Sequence, residues 1–114
     1  VTTPIRLVFE EVPPTAAISE DPNTISVDAD KLEFPLALRH KCEGDVFYPI
    51  GLGSAKKLSK YFIDEKYSQI ARQQQWLLCS GDRIVWVVGK RLDHRFRVTP
   101  KTKRVLQISV FGNS

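Results

Sequence analysis

The sequence predicts an α+β fold that is dominated by antiparallel sheet. Strand-like segments occur both before and after a central helical segment, without the regular alternation of strand and helix that parallel sheets need. The chain has 114 residues, which suits a single domain, and its 42% hydrophobic and 26% charged residues are ordinary globular usage. No apolar run approaches the ~18–20 residues that a membrane span needs, so no membrane partner is expected.

The first third of the chain predicts three strands. Residues 5–12 alternate loosely and end at two prolines, and residues 24–28 alternate with period two. The small, polar stretch 15–23 between them predicts a loop. Residues 34–40 predict a third strand, in which Pro35 indicates an edge position or the first residues, because proline cannot donate to a sheet ladder.

The middle of the chain predicts one or two short helices. Ser54 can cap a helix through its hydroxyl, and Leu58 and Phe62 lie one turn apart on one face. A helix is therefore predicted from about residue 55 to residue 65. The Gln-rich residues 68–75 predict a second short helix or a turn.

The last third predicts antiparallel strands again. Residues 76–79 and 84–88 read as two apolar strands around a short turn, and the unbroken apolar character of the second predicts burial on both faces. Residues 95–98 and 105–108 predict two more strands around a turn at 99–102.

Charge is distributed unevenly along the chain. Residues 1–55 contain four Lys or Arg and nine Asp or Glu, a net charge of −5, whereas residues 56–114 contain thirteen and four, a net charge of +9. A strongly basic half raises the expectation of a nucleic acid or another polyanion as partner. The chain contains no Met and begins with Val1, so we expect it to be a piece of a longer polypeptide.

The start of the predicted helix is the first candidate anion site. In a helix, Lys56 and Lys60 share a face beside Lys57, where like charges one turn apart repel by about 0.2–0.5 kcal/mol and lysines oppose the helix dipole. A docked phosphate would explain this arrangement, since free N–H groups and three ammonium groups converge on it. Glycines at 51 and 53 would let a backbone approach closely. The alternative is a solvated helix end whose lysines keep the surface soluble.

A second basic cluster follows at Arg91, Arg95 and Arg97. If residues 95–98 form a strand, Arg95 and Arg97 point to one face while Phe96 and Val98 point to the other. The result is a basic stripe over an apolar floor, which suits a sugar-phosphate backbone. The alternative is an ordinary sheet face with polar residues outside.

The sequence contains no recognisable catalytic or metal-binding constellation. His40 and His94 have no partner that spacing alone supplies for acid–base chemistry. Cys42 and Cys79 are predicted to be buried small residues or inert thiols, and no Cys/His/Asp group has metal-ligand spacing. Two distant cysteines also make a disulfide scaffold improbable and favour a reducing, cytoplasmic setting. We therefore predict no catalytic residue and no metal site in this chain.

Three motifs occur in the chain in a fixed order. Residues 38–51 read Leu-Arg-His-x-x-x-Gly-Asp-x-Phe-x-Pro-x-Gly, residues 56–66 read Lys-Lys-Leu-Ser-x-Tyr-Phe-Ile-Asp-x-Lys, and residues 84–98 read Ile-Val-Trp-Val-Val-Gly-x-Arg-x-Asp-x-Arg-Phe-x-Val. Together they resemble the C-terminal domain of the tRNA(Ile)-lysidine synthetase family over about residues 36–98. The chain departs from the family pattern at Tyr67-Ser68, where Ile-Pro is expected, and at Leu52, where Met is expected.

The resemblance implies a fold similar to a domain of the phenylalanyl-tRNA synthetase β subunit. It also implies a parent ligase that joins lysine to the wobble cytidine of the isoleucine tRNA with a CAU anticodon, after ATP has adenylated that base. In the family this chemistry belongs to an N-terminal domain with a Ser-Gly-Gly-x-Asp-Ser loop, which this chain lacks. ATP with magnesium is expected for that domain, and no cofactor is expected for this chain.

The expected organisation and partners follow from the same resemblance. Residues 1–30 are interpreted as N-terminal strands and a loop leading into the domain, and residues 31–114 as the tRNA-binding C-terminal domain. The expected partners are the tRNA and the N-terminal catalytic domain of the same polypeptide. The predicted function is non-catalytic RNA binding by six contact residues: Lys56, Lys57, Lys60, Arg91, Arg95 and Arg97.

Two other function classes compete with RNA binding. A structural module that docks on its own catalytic domain, or that forms a homodimer, would leave tRNA affinity unchanged when lysines of the predicted helix are reversed in charge. A self-sufficient small enzyme ranks third, because spacing alone assembles no nucleophile–base pair and no metal site.

Overall fold

The computed structural model describes residues 5–14, 23–52 and 54–112. Residues 15–22 of the loop predicted at 15–23, and the predicted role of Gly53, lie outside these ranges. Within them, the strands are β1 (Ile5–Val12), β2 (Thr24–Asp28), β3 (Leu36–Arg39), β4 (Val46–Phe47), β5 (Lys56–Lys57), β6 (Leu77–Ser80), β7 (Arg83–Val87), β8 (Arg91–Leu92) and β9 (Val105–Gly112). The helices are α1 (Leu58–Asp64) and α2 (Gln69–Gln74), with 3-10 turns at Ala29–Lys31 and His94–Phe96.

The first sheet joins the two ends of the chain. Its order is β1-β9-β2, with both outer strands antiparallel to β9, so that Ile5 lies opposite Gly112 and Val12 lies opposite Val105. The bounds predicted for the first two strands are confirmed, because period-two alternation and the prolines after Val12 mark them in the sequence. The last strand is longer than predicted, since pairing with β1 extends it to residue 112.

The second sheet has the order β3-β6-β7-β8 and forms the middle of the molecule. Its edge strand β3 begins directly after Pro35, which follows Phe34 through a cis peptide bond, so the predicted edge position is confirmed. Strand β7 is buried from Ile84 to Val87, as its unbroken apolar character predicted.

Each face of the second sheet covers a hydrophobic cluster. One face packs against the first sheet and the other against α1 and β4. The pairing of β6 with β7 slips by one residue, because Leu78 lies opposite Trp86 whereas Cys79 lies opposite Ile84. The extra residue, Val85, joins Trp86 in the cluster beneath the first sheet. The two cores therefore share one sheet.

The predicted helix at 55–65 begins three residues later than expected. Lys56 and Lys57 are extended and pair antiparallel with Phe47 and Val46, so they belong to a two-stranded ribbon rather than to the first helical turn. Ser54 is not the cap. The N–H of Leu58 instead donates to the carbonyl of Asp45 at 2.9 Å, which satisfies one of the free donors at the helix start.

The second helix is confirmed, and the strand predicted at 95–98 is wrong. Ser68 caps α2 by accepting the N–H of Ala71 at 3.0 Å. His94–Phe96 is a 3-10 turn because the carboxylate of Asp93 accepts the N–H of Arg95 at 2.8 Å, a local bond that competes with extended pairing.

Candidate nucleic-acid interface

Residues 48–50, which directly follow β4, are joined to the segment 91–97 by backbone hydrogen bonds. The N–H of Ile50 donates to Leu92 O at 2.9 Å, and the N–H of His94 donates to Tyr48 O at 2.6 Å. The two basic clusters that the sequence predicted separately thus lie on adjoining segments. We call their six cations the basic face: Lys56, Lys57, Lys60, Arg91, Arg95 and Arg97.

Asp93 is the buried anchor between these segments. Its carboxylate is fully buried and accepts the N–H of Tyr48 at 2.9 Å as well as three bonds from Arg95, through the backbone N–H at 2.8 Å, Nε at 3.1 Å and Nη2 at 3.0 Å. The guanidinium also lies 4.3 Å from the centre of the Tyr48 ring. Arg95 is therefore fixed and its charge balanced. The predicted stripe, with Arg95 and Arg97 side by side on a strand, is absent.

Arg91 and Arg97 donate to carbonyl groups rather than to carboxylates. Arg91 Nη1 lies 3.3 Å from Ile50 O, and Arg97 Nη1 lies 2.9 Å from His94 O. Arg91 also faces Tyr61. Burial raises the pKa of Tyr61, and the nearby guanidinium of Arg91 opposes that rise. Because these partners are neutral, no carboxylate within the described residues balances the charge of either arginine.

Two of the three lysines of the basic face share one carboxylate. Lys56 from β5 and Lys60 from α1 both reach Asp64, with Nζ–O distances of 2.5 and 3.5 Å. The hydrogen bond from Lys56 is the main reason that the pKa of Asp64 lies below its usual range. Lys57 is exposed and has no ion-pair partner in the described part of the chain.

The charge of the basic face follows from these contacts. Three of the six cations, Lys56, Lys60 and Arg95, contact two carboxylates, Asp64 and Asp93, so the net charge of these eight groups is +4. Sequence reasoning missed both acids as partners. The spacing of four residues between Lys60 and Asp64, and of two between Asp93 and Arg95, is the signal that could have revealed them.

Asp45 holds the loop that leads into β4. Its carboxylate accepts two bonds of 2.9 Å from Arg39 and one of 2.7 Å from the N–H of Cys42. Partial burial raises the pKa of Asp45, but the bonds from Arg39 and Cys42 reverse this, so the net pKa lies below the usual range. This anchor fixes the position of the carbonyl that receives the N–H of Leu58, and hence the start of α1.

The cysteines and histidines do not form a site. Cys79 is buried as predicted, and burial raises the pKa of its thiol, whereas Cys42 is exposed because it lies in the loop before β4. His40 stacks on Trp76 with ring centres 4.0 Å apart. Among residues 5–14, 23–52 and 54–112 no three His, Cys, Asp or Glu side chains are placed to hold a metal ion. The helices within these ranges are too short to cross a membrane.

A family model described as the TilS substrate C-terminal domain matches residues 36–109. The chain belongs to this family. Two relatives named tRNA(Ile)-lysidine synthase match nearly its whole length: the one from Parabacteroides distasonis is 50% identical over 96% of the chain, and the one from Bacteroides thetaiotaomicron is 41% identical over 92%. The chain spans only 25% of either relative. The resemblance drawn from the three sequence motifs is confirmed.

A solved structure described as a TILS C-terminal domain has the same fold. It aligns with a TM-score of 0.78 over 97% of this chain and 87% of its own length, at 23% sequence identity. This agreement, together with the three antiparallel sheets described above, confirms the predicted α+β class. The TilS C-terminal fold is thus the scaffold that presents the basic face.

Proposed function

We propose that this chain is the tRNA-binding part of a tRNA(Ile)-lysidine synthase. The observation that carries the proposal is the pair of backbone hydrogen bonds between residues 48–50, directly after β4, and the segment 91–97, which brings the two basic clusters onto adjoining segments. With Asp64 and Asp93 included, the charges of these residues sum to +4. RNA backbones attract such surfaces, because each neutralised phosphate releases condensed counterions. Membership of the family supports the same function.

The six cations have different roles in this proposal. Lys57, Arg91 and Arg97 have no carboxylate partner among the residues that the structure describes, so they make the strongest phosphate contacts. Lys56 and Lys60 contribute less, since they share Asp64. A duplex hides its base edges in a deep, narrow major groove, so the contacts go to phosphate and 2′-hydroxyl groups and read the shape of the RNA.

Arg95 has a mainly structural role in the basic face. Its ion pair with the buried carboxylate of Asp93 and its stacking on Tyr48 keep its guanidinium in one position. The side chain is 33% exposed, so part of it remains accessible to a ligand although Asp93 balances its charge. Loss of Arg95 is therefore expected to weaken RNA binding through displacement of the segment 91–97.

The full-length protein would carry the ligase chemistry. In this proposal it joins lysine to the wobble cytidine of the isoleucine tRNA with a CAU anticodon, using ATP and magnesium in a catalytic domain outside this chain. The present domain holds the body of the tRNA, and the site of action is the cytoplasm. The experiment is a titration of this chain with that tRNA transcript.

Matched variants make the titration specific. Lys57→Gln and Arg97→Gln should each weaken binding several-fold, whereas Arg83→Gln should not, because Arg83 is an exposed cation at the opposite end of the β6–β7 hairpin from Arg91. Equal affinities for all three variants and the unsubstituted chain would contradict the proposal.

One feature favours the docking module as a second candidate. A groove of about 470 Å³ between β1 and β3 is lined by apolar residues, with Phe9 and Phe34 exposed at 42% and 70%. Three quarters of each relative lies outside this chain, so the catalytic domain is the occupant that this candidate implies. Phe34→Ser would then lower the melting temperature of the full-length protein but not of this chain. Charge reversal at Lys56 and Lys60 would leave tRNA affinity unchanged.

A further inference from the structure

A cleft of about 800 Å³ lies beside α2, and none of the six residues of the basic face lines it. Its walls come from the link between α1 and α2, the turn between β7 and β8, and the ends of β1 and β9. Two lysines line it, Lys66 and Lys90, together with one carboxylate, Glu65. Neither lysine forms an ion pair within the described part of the chain. The residues that line the cleft therefore carry a net charge of +1.

Lys66 holds an unfavourable backbone conformation at this cleft. It is the one non-glycine residue of the described chain with a positive φ, at 60°. The left-handed residue ends α1, since its N–H donates to Ile63 O at 3.0 Å and the N–H of Tyr67 donates to Phe62 O at 2.9 Å. Glycine adopts this position without a Cβ penalty and is the usual residue there. A lysine at this point brings an ammonium group to the cleft at the expense of stability.

The wall opposite Lys66 is rigid and polar. Gln75 donates through Nε2 to the carbonyls of Trp76 and Val88, both at 2.9 Å, and its Oε1 accepts the hydroxyl of Tyr67 at 2.8 Å. These bonds hold the Tyr67 ring by its hydroxyl and tie the backbone at Trp76 to that at Val88. Gln74 is exposed beside them, and its amide makes no hydrogen bond within the described residues. An amide offers a donor and an acceptor together, which matches the edge of a nucleobase.

We propose that this cleft binds one unpaired nucleotide of an RNA. The base enters between the aromatic residues and the amide of Gln74, and the flanking phosphates lie near Lys66 and Lys90. A base paired within a duplex is not free to stack on a protein side chain, whereas an unpaired base can be extruded and stacked. The volume also lies within the ~300–1,000 Å³ range of small-ligand sites. The inference rests on the proposed function, since it names the part of the RNA that this domain reads.

The test compares two RNA hairpins that differ only in a short single-stranded 3′ extension. The extension should tighten binding by about five-fold or more, the value of one stacked base. Lys90→Gln and Gln74→Ala should remove this gain and leave the blunt hairpin unaffected. Lys101→Gln, an exposed lysine outside the cleft, should keep it.

Lys66→Gly supplies a variant that we expect to fold, because glycine adopts the conformation at this position freely. It should raise the melting temperature, because glycine relieves the left-handed conformation, and it should remove the gain from the extension. A raised melting temperature with an undiminished gain would overturn the role of Lys66 in the cleft.

The remaining outcomes separate this inference from the proposed function. If the blunt hairpin binds with salt dependence and the extension adds nothing, the cleft proposal is wrong while the proposed function stands. If neither hairpin binds, both are wrong. If AMP alone binds in the cleft and the extension still adds nothing, the cleft is a site for a free nucleotide, and the RNA assignment is overturned.

Discussion

The substitution Asp93→Ala removes the anchor that joins the ribbon β4–β5 to the segment 91–97. The fully buried carboxylate satisfies the backbone N–H groups of Tyr48 and Arg95 and the guanidinium of Arg95. Alanine leaves all three donors without that acceptor. We expect the domain to lose stability and the basic face to lose its geometry.

The size of the loss follows from the burial of the partners. Breaking a fully buried ion pair costs about 3–5 kcal/mol. The side chain of Arg95 is 33% exposed, so water can solvate part of the freed guanidinium, and the loss falls to about 2–3 kcal/mol. Asp93→Asn keeps one carbonyl acceptor and should lose about half as much. A domain of this size remains folded, because typical stabilities are about 5–15 kcal/mol.

Urea unfolding followed by tryptophan fluorescence measures this loss, since Trp86 is fully buried in the core. Asp82→Ala is the control, an exposed acid in the β6–β7 turn, with an expected change below about 0.5 kcal/mol. A loss below about 1 kcal/mol for Asp93→Ala, at an unchanged m-value, would refute the anchoring role.

Three further substitutions test other parts of the domain. Asp64→Asn should free Lys56 and Lys60 and tighten tRNA binding by roughly two- to five-fold in a filter-binding titration; unchanged affinity would contradict their place in the basic face. Asp45→Asn should remove stability that is present above the unfolded aspartate pKa of about 3.9, because folding lowers the pKa of Asp45. The difference from the unsubstituted chain in urea unfolding should therefore shrink as pH falls below about 4, and a constant difference would count against it. Ser68→Ala removes the cap of α2 and should lower the free energy of unfolding by about 1 kcal/mol in urea unfolding. A change no larger than the experimental error would show that the cap does not stabilise the domain.

The strands show how far periodicity alone predicts this fold. Alternation gave the bounds of β1 and β2, and a continuous apolar run indicated that β7 is buried on both faces. Both signals are local, because each depends only on the order of apolar and polar residues within one strand. The shift in register between β6 and β7 places Val85 and Trp86 in the same core. Because this shift depends on the partner strand β6, no local pattern in β7 indicates it.

The residues of the basic face were chosen from the sequence, but the backbone conformations that position them were not predicted. The contact role of the six cations stays a prediction, and Lys56 and Lys57 lie on a strand because of their pairing with β4, some ten residues earlier. Arg95 lies on a 3-10 turn because Asp93 captures its N–H. Both errors arise where a contact outside the helical or alternating pattern overrides local propensity. The cleft beside α2 draws its walls from several separate parts of the chain, which spacing in the sequence cannot bring together.

The salt dependence of tRNA binding tests the central claim most directly. The slope of the logarithm of affinity against the logarithm of salt concentration counts the phosphates that the basic face neutralises, at about 0.7–0.9 per contact. We expect a clear negative slope for the unsubstituted chain, shallower by about that amount in Lys57→Gln and again in Arg97→Gln, and unchanged in Arg83→Gln. A flat response, or an equal slope in all four proteins, would contradict the role of this surface in holding RNA.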